Sequence, residues 1–233
     1  MKILKKFTYV FLAAAMMLGA TGCGMNKTGK GALIGGGGGA GLGAGIGALI
    51  GGGKGAGIGA AIGAAVGAGA GALIGNKMDK QQKELEEQLA QQAKVEQTTD
   101  SNGLRAIKVT FDGGILFPTG KYTLNNNAQA DLTKFAVNLI NNPNTDVNIF
   151  GYTDNTGSYA VNEKLSNQRA NAVRDYLIKC GVNPERLKAT GVPMADYIAS
   201  NDTPEGRALN RRVEIYIMAN EQMIKEAEAE AAQ

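Results

Sequence analysis

Apolar and polar residues change their spacing along the chain, and these changes predict its elements. Between residues 103 and 220, short alternating runs are separated by stretches in which apolar residues recur every three or four positions. Alternation is typical of strands and the longer spacing of helices. The pattern predicts strands at 104–111, 146–152, 187–191 and 212–218, with helices at 125–140 and 158–180. This β-α-β-α-β-β order predicts an α/β domain whose mixed sheet carries helices over one face.

Residues 31–75 follow another rule, because a glycine stands at every fourth position without a miss. Lys54, beside three glycines near the middle, suggests a turn between two helices of about 20 residues, long enough to cross a bilayer. The segment holds 21 glycines in 45 residues, so a helix in water would be destabilised by roughly 20 kcal/mol. Lipid favours the helix, because backbone groups there must bond internally and small residues let helices approach closely. We therefore expect a membrane-associated glycine-zipper hairpin, with a flexible linker as the alternative.

Two polar segments flank the domain. Residues 76–102 are charged and rich in glutamine at first, which predicts a helical spacer that is solvated or forms a short coiled-coil arm. Residues 221–233 form a Glu/Ala-rich tail that is compatible with a helix or a frayed end.

Residues 1–22 have the pattern of a secretory signal, with three lysines before an apolar run too short for a comfortable membrane span. Small residues then lead to Cys23, which resembles the lipobox of bacterial lipoproteins, although Ala20 replaces the usual leucine. The resemblance implies acyl chains on Cys23, followed by a lipidated tether over 23–30. Ordinary signal cleavage that leaves a free thiol is the alternative. Cys180 would then have no partner, and we expect it to be a small buried hydrophobe.

Charge and composition argue against two functional classes. The formal net charge is +3, and three lysines of the signal account for it, whereas a nucleic-acid binder would keep a basic excess. The chain has no histidine, so the usual general base and the usual metal ligand are both missing. We expect no enzyme, no metal, no cofactor and no nucleic-acid partner.

Candidate chemistry lies where the second strand passes into the second helix. Asp154 ends the strand and Arg169 follows about three helical turns later. If the helix folds back over the sheet, these two side chains flank one pocket. The carboxylate would then hold an ammonium group, and the arginine fork would hold a carboxylate of a zwitterionic ligand. A structural Asp–Arg salt bridge is an alternative of equal weight.

Three segments resemble one known family. They are Gly-Tyr-Thr-Asp at 151–154, Leu-Ser-x-x-Arg-Ala at 165–170, and Ala-Ser-Asn-Asp-Thr-Pro-Glu-Gly-Arg-Ala-Leu-Asn-Arg-Arg-Val-Glu at 199–214. Together with Phe-Pro-Thr-Gly-Lys at 117–121, they resemble the OmpA-like peptidoglycan-binding domain over about 103–220. Pro193 and Tyr197 depart from the family's pattern in the loop before the last strand.

The resemblance implies a ligand, the diaminopimelate of the peptidoglycan stem peptide. By motif position, Asp154 would bind its amino group and Arg169 its carboxylate. The remaining implied site residues are Asn162 as a hydrogen-bonding group, Arg212 as a lining residue, and the backbone around Thr119 and Gly120.

The sequence as a whole therefore predicts a non-enzymatic lipoprotein of the outer membrane, with its domain facing the periplasm. The acylated Cys23 and residues 31–75 would hold lipid, and the domain would bind peptidoglycan non-covalently. One alternative is a glycine-zipper homo-oligomer or pore that wall binding merely positions. A second is an enzyme that acts on the wall, which the absence of an evident nucleophile–base pair disfavours.

Overall fold

The structure is a computed structural model that describes residues 66–118 and 120–233. The signal at 1–22, Cys23, most of the glycine zipper and Thr119 lie outside the described residues. The helices are α1 (Ala68–Leu89), α2 (Gly113–Leu116), α3 (Asn126–Asn141), α4 (Tyr159–Lys179), α5 (Pro204–Asn210) and α6 (Glu221–Ala231). The strands are β1 (Lys94–Thr99), β2 (Arg105–Asp112), β3 (Thr145–Tyr152), β4 (Leu187–Val192) and β5 (Arg212–Ala219).

The five strands form one mixed sheet in the order β1-β2-β5-β3-β4. Strands β3 and β4 are parallel and are joined through α4, whereas every other pair is antiparallel. The predicted β-α-β-α-β-β order is confirmed by β2, α3, β3, α4, β4 and β5. Strand β1 and helices α1, α2, α5 and α6 are added to that frame.

One face of the sheet supplies most of the core. Alternate strand residues such as Val109, Ile149 and Ile215 are fully buried, as the pleat of a strand requires when one face is covered. Helices α1, α3, α4 and α6 contribute buried side chains to the same cluster. The Phe111 and Phe135 rings meet edge to face there, with centroids 6.2 Å apart.

Two glycines allow α4 to lie directly on the sheet. A β-carbon at Gly151 would stand 2.5 Å from the backbone oxygen of Ser166. A β-carbon at Gly191 would stand 2.6 Å from the backbone nitrogen of Asn167. Neither contact is tolerable, so these glycines set the approach that carries Arg169 of α4 towards the end of β3.

The predicted spacer over 76–102 is wrong in two respects. Its helix ends at Leu89, and Lys94–Thr99 forms strand β1 instead. Helix α1 is not solvated all round, because one stripe of it is buried against the domain: Ala70, Ile74, Met78, Gln81, Leu85 and Leu89. These residues follow helical spacing across the compositional boundary at residue 75, so the change of composition concealed one continuous amphipathic helix.

Contacts of α1 and α6 with the rest of the domain stabilise this arrangement. The Gln81 side chain donates a hydrogen bond of 3.0 Å to the side-chain oxygen of Asn138 in α3. The tail folds as α6, whose Ala227 is fully buried.

Within the described ranges 66–118 and 120–233, no helix is both long and apolar enough to cross a membrane.

Helix ends are fixed largely as the sequence indicates. Gly181 follows α4 with φ of 100°, a left-handed conformation that is common for glycine just after the end of a helix. Cys180 beside it is half-buried rather than fully buried, and it packs against the core. At the end of α3, Arg186 donates hydrogen bonds to the carbonyl oxygens of Leu139, Asn142 and Thr145. The bonds to Leu139 and Asn142 satisfy carbonyl groups at the end of α3, and the bond to Thr145 ties the helix end to the start of β3.

Candidate functional site

The turn between β3 and α4 is held by the first residues of the helix. The Ser158 side chain accepts a hydrogen bond from the Val161 amide and caps the helix. The side-chain nitrogen of Asn162 donates to the carbonyl oxygens of Thr156 (2.8 Å) and Ser158 (3.1 Å). Asn162 is buried, so its amide nitrogen shapes the turn and only its oxygen remains available to a ligand.

Asp154 leaves β3 as a buried carboxylate with two partners. One oxygen accepts a 2.8 Å hydrogen bond from the Thr156 amide, and the other accepts a 2.6 Å bond from the Arg211 guanidinium. Burial alone would raise the pKa of Asp154, but the hydrogen bonds from Arg211 and Thr156 lower this pKa below its ordinary value of 3.8. The side chain is therefore an anion at neutral pH.

Arg169 is a buried cation on α4, with only 4% of its surface exposed. Its Nε donates to the backbone oxygen of Lys121 (3.1 Å), and its guanidinium lies 5.4 Å from the centre of the Phe117 ring. Its Nη1 has no hydrogen-bond partner among the described residues. Burial, with help from the positive charge of Arg211, lowers the pKa of Arg169. A buried N–H group without a partner is costly, which is typical of a site that receives a ligand.

The structure brings Arg211, not Arg212, to this pocket. Arg212 is buried elsewhere, where its Nε donates to Glu214 (2.7 Å), its Nη2 donates to the Asp196 carbonyl, and its guanidinium stacks 3.8 Å from the Tyr152 ring. No described contact joins Arg212 to Asp154 or Arg169. Predicting Arg212 in the pocket is therefore not supported by the placement of its side chain.

The alternation of β5 explains the exchange. Successive residues of a strand point to opposite faces of the sheet. Val213 and Ile215 face the helices, and Arg211 is on the same side because it is two residues before Val213. Arg212 is on the opposite side, together with Glu214. Arg211 was missed because the motif presents two consecutive arginines. The sequence does contain a signal for Arg211: the buried aliphatic residues of β5 all have odd numbers, and Arg211 continues that series.

The remaining predicted site residues lie in the loop after α2. Gly120 has φ of 68°, a conformation that favours glycine, and it directly precedes the Lys121 carbonyl that accepts from Arg169. Thr119 lies outside the described residues. The loop thus closes one side of Arg169 through its backbone.

The assembled pocket contains one carboxylate and two guanidinium groups. Asp154 holds Arg211 directly, and both influence the pKa of Arg169, so the three charges act on one another. The formal charge of this set is positive by one unit. Such a pocket suits a ligand that carries an ammonium group and at least one carboxylate.

Two curated proteins are each similar to just under half of the chain. The Escherichia coli (strain K12) protein named "Probable lipoprotein YiaD" is 42% identical over 109 residues, which are 47% of this chain and 50% of that protein. "Peptidoglycan-binding protein ArfA" of Mycobacterium tuberculosis is 46% identical over 106 residues, which are 46% of this chain and 30% of that protein. The match thus spans at most half the length of these relatives.

A solved structure shares the fold. The cell wall anchor of the T6SS from Pseudomonas aeruginosa superposes with a TM-score of 0.51 at 30% sequence identity, covering 58% of this chain and 97% of that one.

Two family models match separate parts of the chain. The YMGG-like Gly-zipper matches residues 1–79, and the OmpA family matches residues 116–211. The second match includes Asp154, Asn162, Arg169 and Arg211. Together with the sheet topology and the shared fold, these matches place residues 116–211 in the OmpA family.

Proposed function

We propose that this chain is an outer-membrane lipoprotein whose OmpA-family domain binds peptidoglycan without covalent bonds. Its ligand is the diaminopimelate of the stem peptide, and its role is to tether the membrane to the cell wall. The observation that carries this proposal is the pair formed by ionised Asp154 and buried Arg169, whose Nη1 lacks a partner in the described structure.

Diaminopimelate matches the pocket group by group. Each oxygen of Asp154 holds one hydrogen bond and keeps a lone pair that can accept from the ligand's ammonium group. The ligand's carboxylate can accept from Nη1 of Arg169 and from Arg211, which adds a second cation. The positive excess of the pocket then favours a stem peptide that carries a further free carboxylate.

The relatives support the same function. One is named a peptidoglycan-binding protein, another a lipoprotein, and the solved structure is a cell wall anchor. Acyl chains on Cys23 would supply the membrane attachment, with residues 31–75 contributing further lipid contact. Wall binding then requires the domain to face the periplasm. The proposed role is binding alone, without catalysis.

The test is sedimentation of the full-length protein, kept in detergent, with purified peptidoglycan sacculi. Asp154→Ala and Arg169→Ala are compared with two control variants, Asp175→Ala and Arg174→Ala. The control residues form an ion pair on the exposed side of α4, the helix that carries Arg169. We expect wild type and both controls to sediment with the wall, and the two pocket variants to remain soluble while folded by circular dichroism. Equal sedimentation of all five proteins would refute the assignment of the pocket.

Competition identifies the ligand. Free diaminopimelate should displace the protein from sacculi, and the form amidated at the carboxylate facing Arg169 should displace it less, because an amide cannot form the charged fork. Equal potency of the two compounds would contradict diaminopimelate recognition through Arg169.

A glycine-zipper oligomer or pore is a second candidate function. The matched Gly-zipper region reaches into α1, where a β-carbon added at Gly71 or Gly75 would have no neighbour within 4 Å among residues 66–118 and 120–233. That stripe is therefore open to another helix. In this case, wall binding would only position the assembly.

A further inference from the structure

A second cavity of about 470 Å³ lies beside the charged pocket. We name it the α2–α3 groove; it is bordered by α2, by the start of α3 and by the turn after α1, and its polar lining residues are Gln91, Gln92, Asn125, Asn127 and Asp131. Helix α2 borders both sites. Its Gly114 and Ile115 line the groove, while the Gly113 amide donates to the Arg211 carbonyl oxygen (2.7 Å) and Phe117 lies against Arg169.

Asp131 is the charged residue among those that line the groove, and its side chain is 11% exposed. Across the described ranges its carboxylate has no hydrogen bond, only a 3.6 Å ion-pair contact with Lys134. A carboxylate can accept about four hydrogen bonds, so the oxygens of Asp131 can accept from hydroxyl groups of water or of a ligand in the groove.

The other polar groups of the groove are neutral carboxamides. The Asn125 side chain already stabilises the border of the groove. It caps α3 and donates a hydrogen bond to the Ile115 carbonyl oxygen (2.7 Å). The carboxamides of Gln91 and Asn127 make no side-chain hydrogen bond within the described structure. Each can both donate and accept. Ile115 and Ala130 add a small apolar surface.

This combination matches a neutral, hydroxyl-rich ligand better than an ion. Hydroxyl groups can donate to the Asp131 carboxylate, and the carboxamides can bind hydroxyl and N-acetyl groups. A cation would gain less, because Lys134 already compensates the charge of Asp131. An anion would be repelled by the carboxylate.

We propose that the α2–α3 groove is a saccharide subsite that takes the N-acetylated sugar chain of the polymer whose peptide occupies the Arg169 pocket. This inference rests on the proposed function. Stem peptides are attached to the sugar chain, and each peptide residue spans at most about 3.5 Å. Helix α2 has only four residues and borders both sites, so the proposal requires a stem peptide of a few residues to reach from one site to the other.

The test measures two probes separately on the full-length protein in detergent. Chitotetraose, an N-acetylglucosamine tetramer, reports on the groove, and a diaminopimelate-containing tripeptide reports on the Arg169 pocket. Saturation-transfer NMR suits the weak saccharide and yields a Kd by titration. The variants are Asp131→Asn, which removes the charge, and Gly114→Leu, which fills the groove. In the described part of the chain no atom lies within 4 Å of a β-carbon added at Gly114, so the substitution does not collide with described backbone.

We expect Asp131→Asn to weaken chitotetraose binding about tenfold, the effect of losing hydrogen bonds to a charged acceptor. Gly114→Leu should abolish it, and both variants should bind the tripeptide as wild type does. Asp175→Asn, an exposed carboxylate on α4, is the matched control and should change neither.

Absent or unaltered saccharide binding would overturn the proposal. Tighter binding of a cationic probe such as cadaverine, lost in Asp131→Asn, would overturn it as well. If wild type binds chitotetraose but not the tripeptide, the proposed diaminopimelate site fails while the groove stands.

Discussion

Arg211 and Arg212 are consecutive in the chain, but they take part in different interactions. Arg211 pairs with Asp154 in the pocket and is 39% exposed in its side chain. Arg212 and Glu214 form a pair whose side chains are only 2% and 3% exposed. Lys108 is the second cation on Glu214, at 2.9 Å. The first arginine is therefore available to a ligand, and the second belongs to the framework of the sheet.

Substituting each arginine separates these roles. Arg212→Ala should lower the free energy of unfolding by about 3 kcal/mol, because it leaves a buried carboxylate with an incomplete set of partners. Arg211→Ala should cost less stability than Arg212→Ala, because Arg211 is 39% exposed and Asp154 keeps its bond from the Thr156 amide. It should weaken wall binding at least about tenfold, since a charged contact to the ligand is lost. Urea unfolding and sacculus sedimentation measure the two quantities. The opposite result, with Arg212→Ala folded but unable to bind, would return Arg212 to the pocket.

The pKa of Asp154 predicts how binding depends on pH. This pKa is lowered in the folded state, so the stabilisation from the ionised carboxylate is complete above its ordinary value of 3.8 and is lost as pH falls through the folded value. Wall binding should therefore be constant between about pH 5 and pH 8 and should fail only below 3.8. Sedimentation across a pH series measures this. A midpoint near neutrality would mean that another group controls binding.

Most of the pocket could be predicted from sequence at the level of single residues. Asp154, Asn162 and Arg169 occupy fixed positions in a motif that spans a strand, a turn and a helix. The choice between Arg211 and Arg212 depends on which face of β5 each side chain takes. To make that choice from the sequence, the alternation of buried residues in β5 must be extended to Arg211, which precedes the first residue of the strand.

Among the elements, α1 changes the definition of the domain. Ile74, Met78 and Leu85 are fully buried in the core that α3 and α6 share with the sheet. Strand β1, which follows α1, forms six residue pairs with β2 and extends the sheet by one strand. The folding unit therefore begins at least as early as α1, some fifty residues before the region matched by the OmpA family model.

A core substitution in α1 tests this boundary. Leu85→Ala should lower the free energy of unfolding by about 3 kcal/mol, because it removes buried surface and leaves a cavity. Lys83→Ala, an exposed position on the same helix, should change this free energy by less than about 0.5 kcal/mol. Chemical denaturation of the full-length protein measures both. Equal stability of the two variants would mean that α1 is a separate spacer after all.

Sequence patterns identified the central elements and missed those at the edge for physical reasons. Strands β3 and β5 are apolar or alternating, and their burial follows from that. Strand β1 reads Lys-Val-Glu-Gln-Thr-Thr, and an edge strand with five polar residues gives little alternation to detect. In α1 the buried stripe begins among glycines and alanines, so its helical spacing is apparent only when residues on both sides of position 75 are considered together.

At the scale of the whole molecule, the end of the glycine-rich segment is part of the folded domain. Ala70 and Ile74 are buried, and a β-carbon at Gly69 would stand 3.1 Å from that of Ala231 in α6. Lys77 and Glu226 are 3.9 Å apart along the same pair of helices. The two helices therefore pack antiparallel, and any test of the zipper must leave this packing intact.

Deleting residues 31–65 removes most of the zipper without disturbing α1. We expect the affinity for sacculi to be unchanged, because the Asp154 and Arg169 pocket lies wholly within the retained domain. If the zipper assembles oligomers, cross-linked species and membrane permeability should disappear in the same variant. Loss of wall affinity would contradict the independence of the two functions, and unchanged assembly would rule out the zipper as its cause.

The pairing of α1 with α6 also imposes an order in time. Residue 70 leaves the ribosome about 150 residues before α6, which at typical rates of synthesis is on the order of ten seconds. Throughout that interval, the face of α1 that will pack against α6 lacks this partner. The domain is therefore complete only after the last helix of the chain has been synthesised and has covered that face of α1.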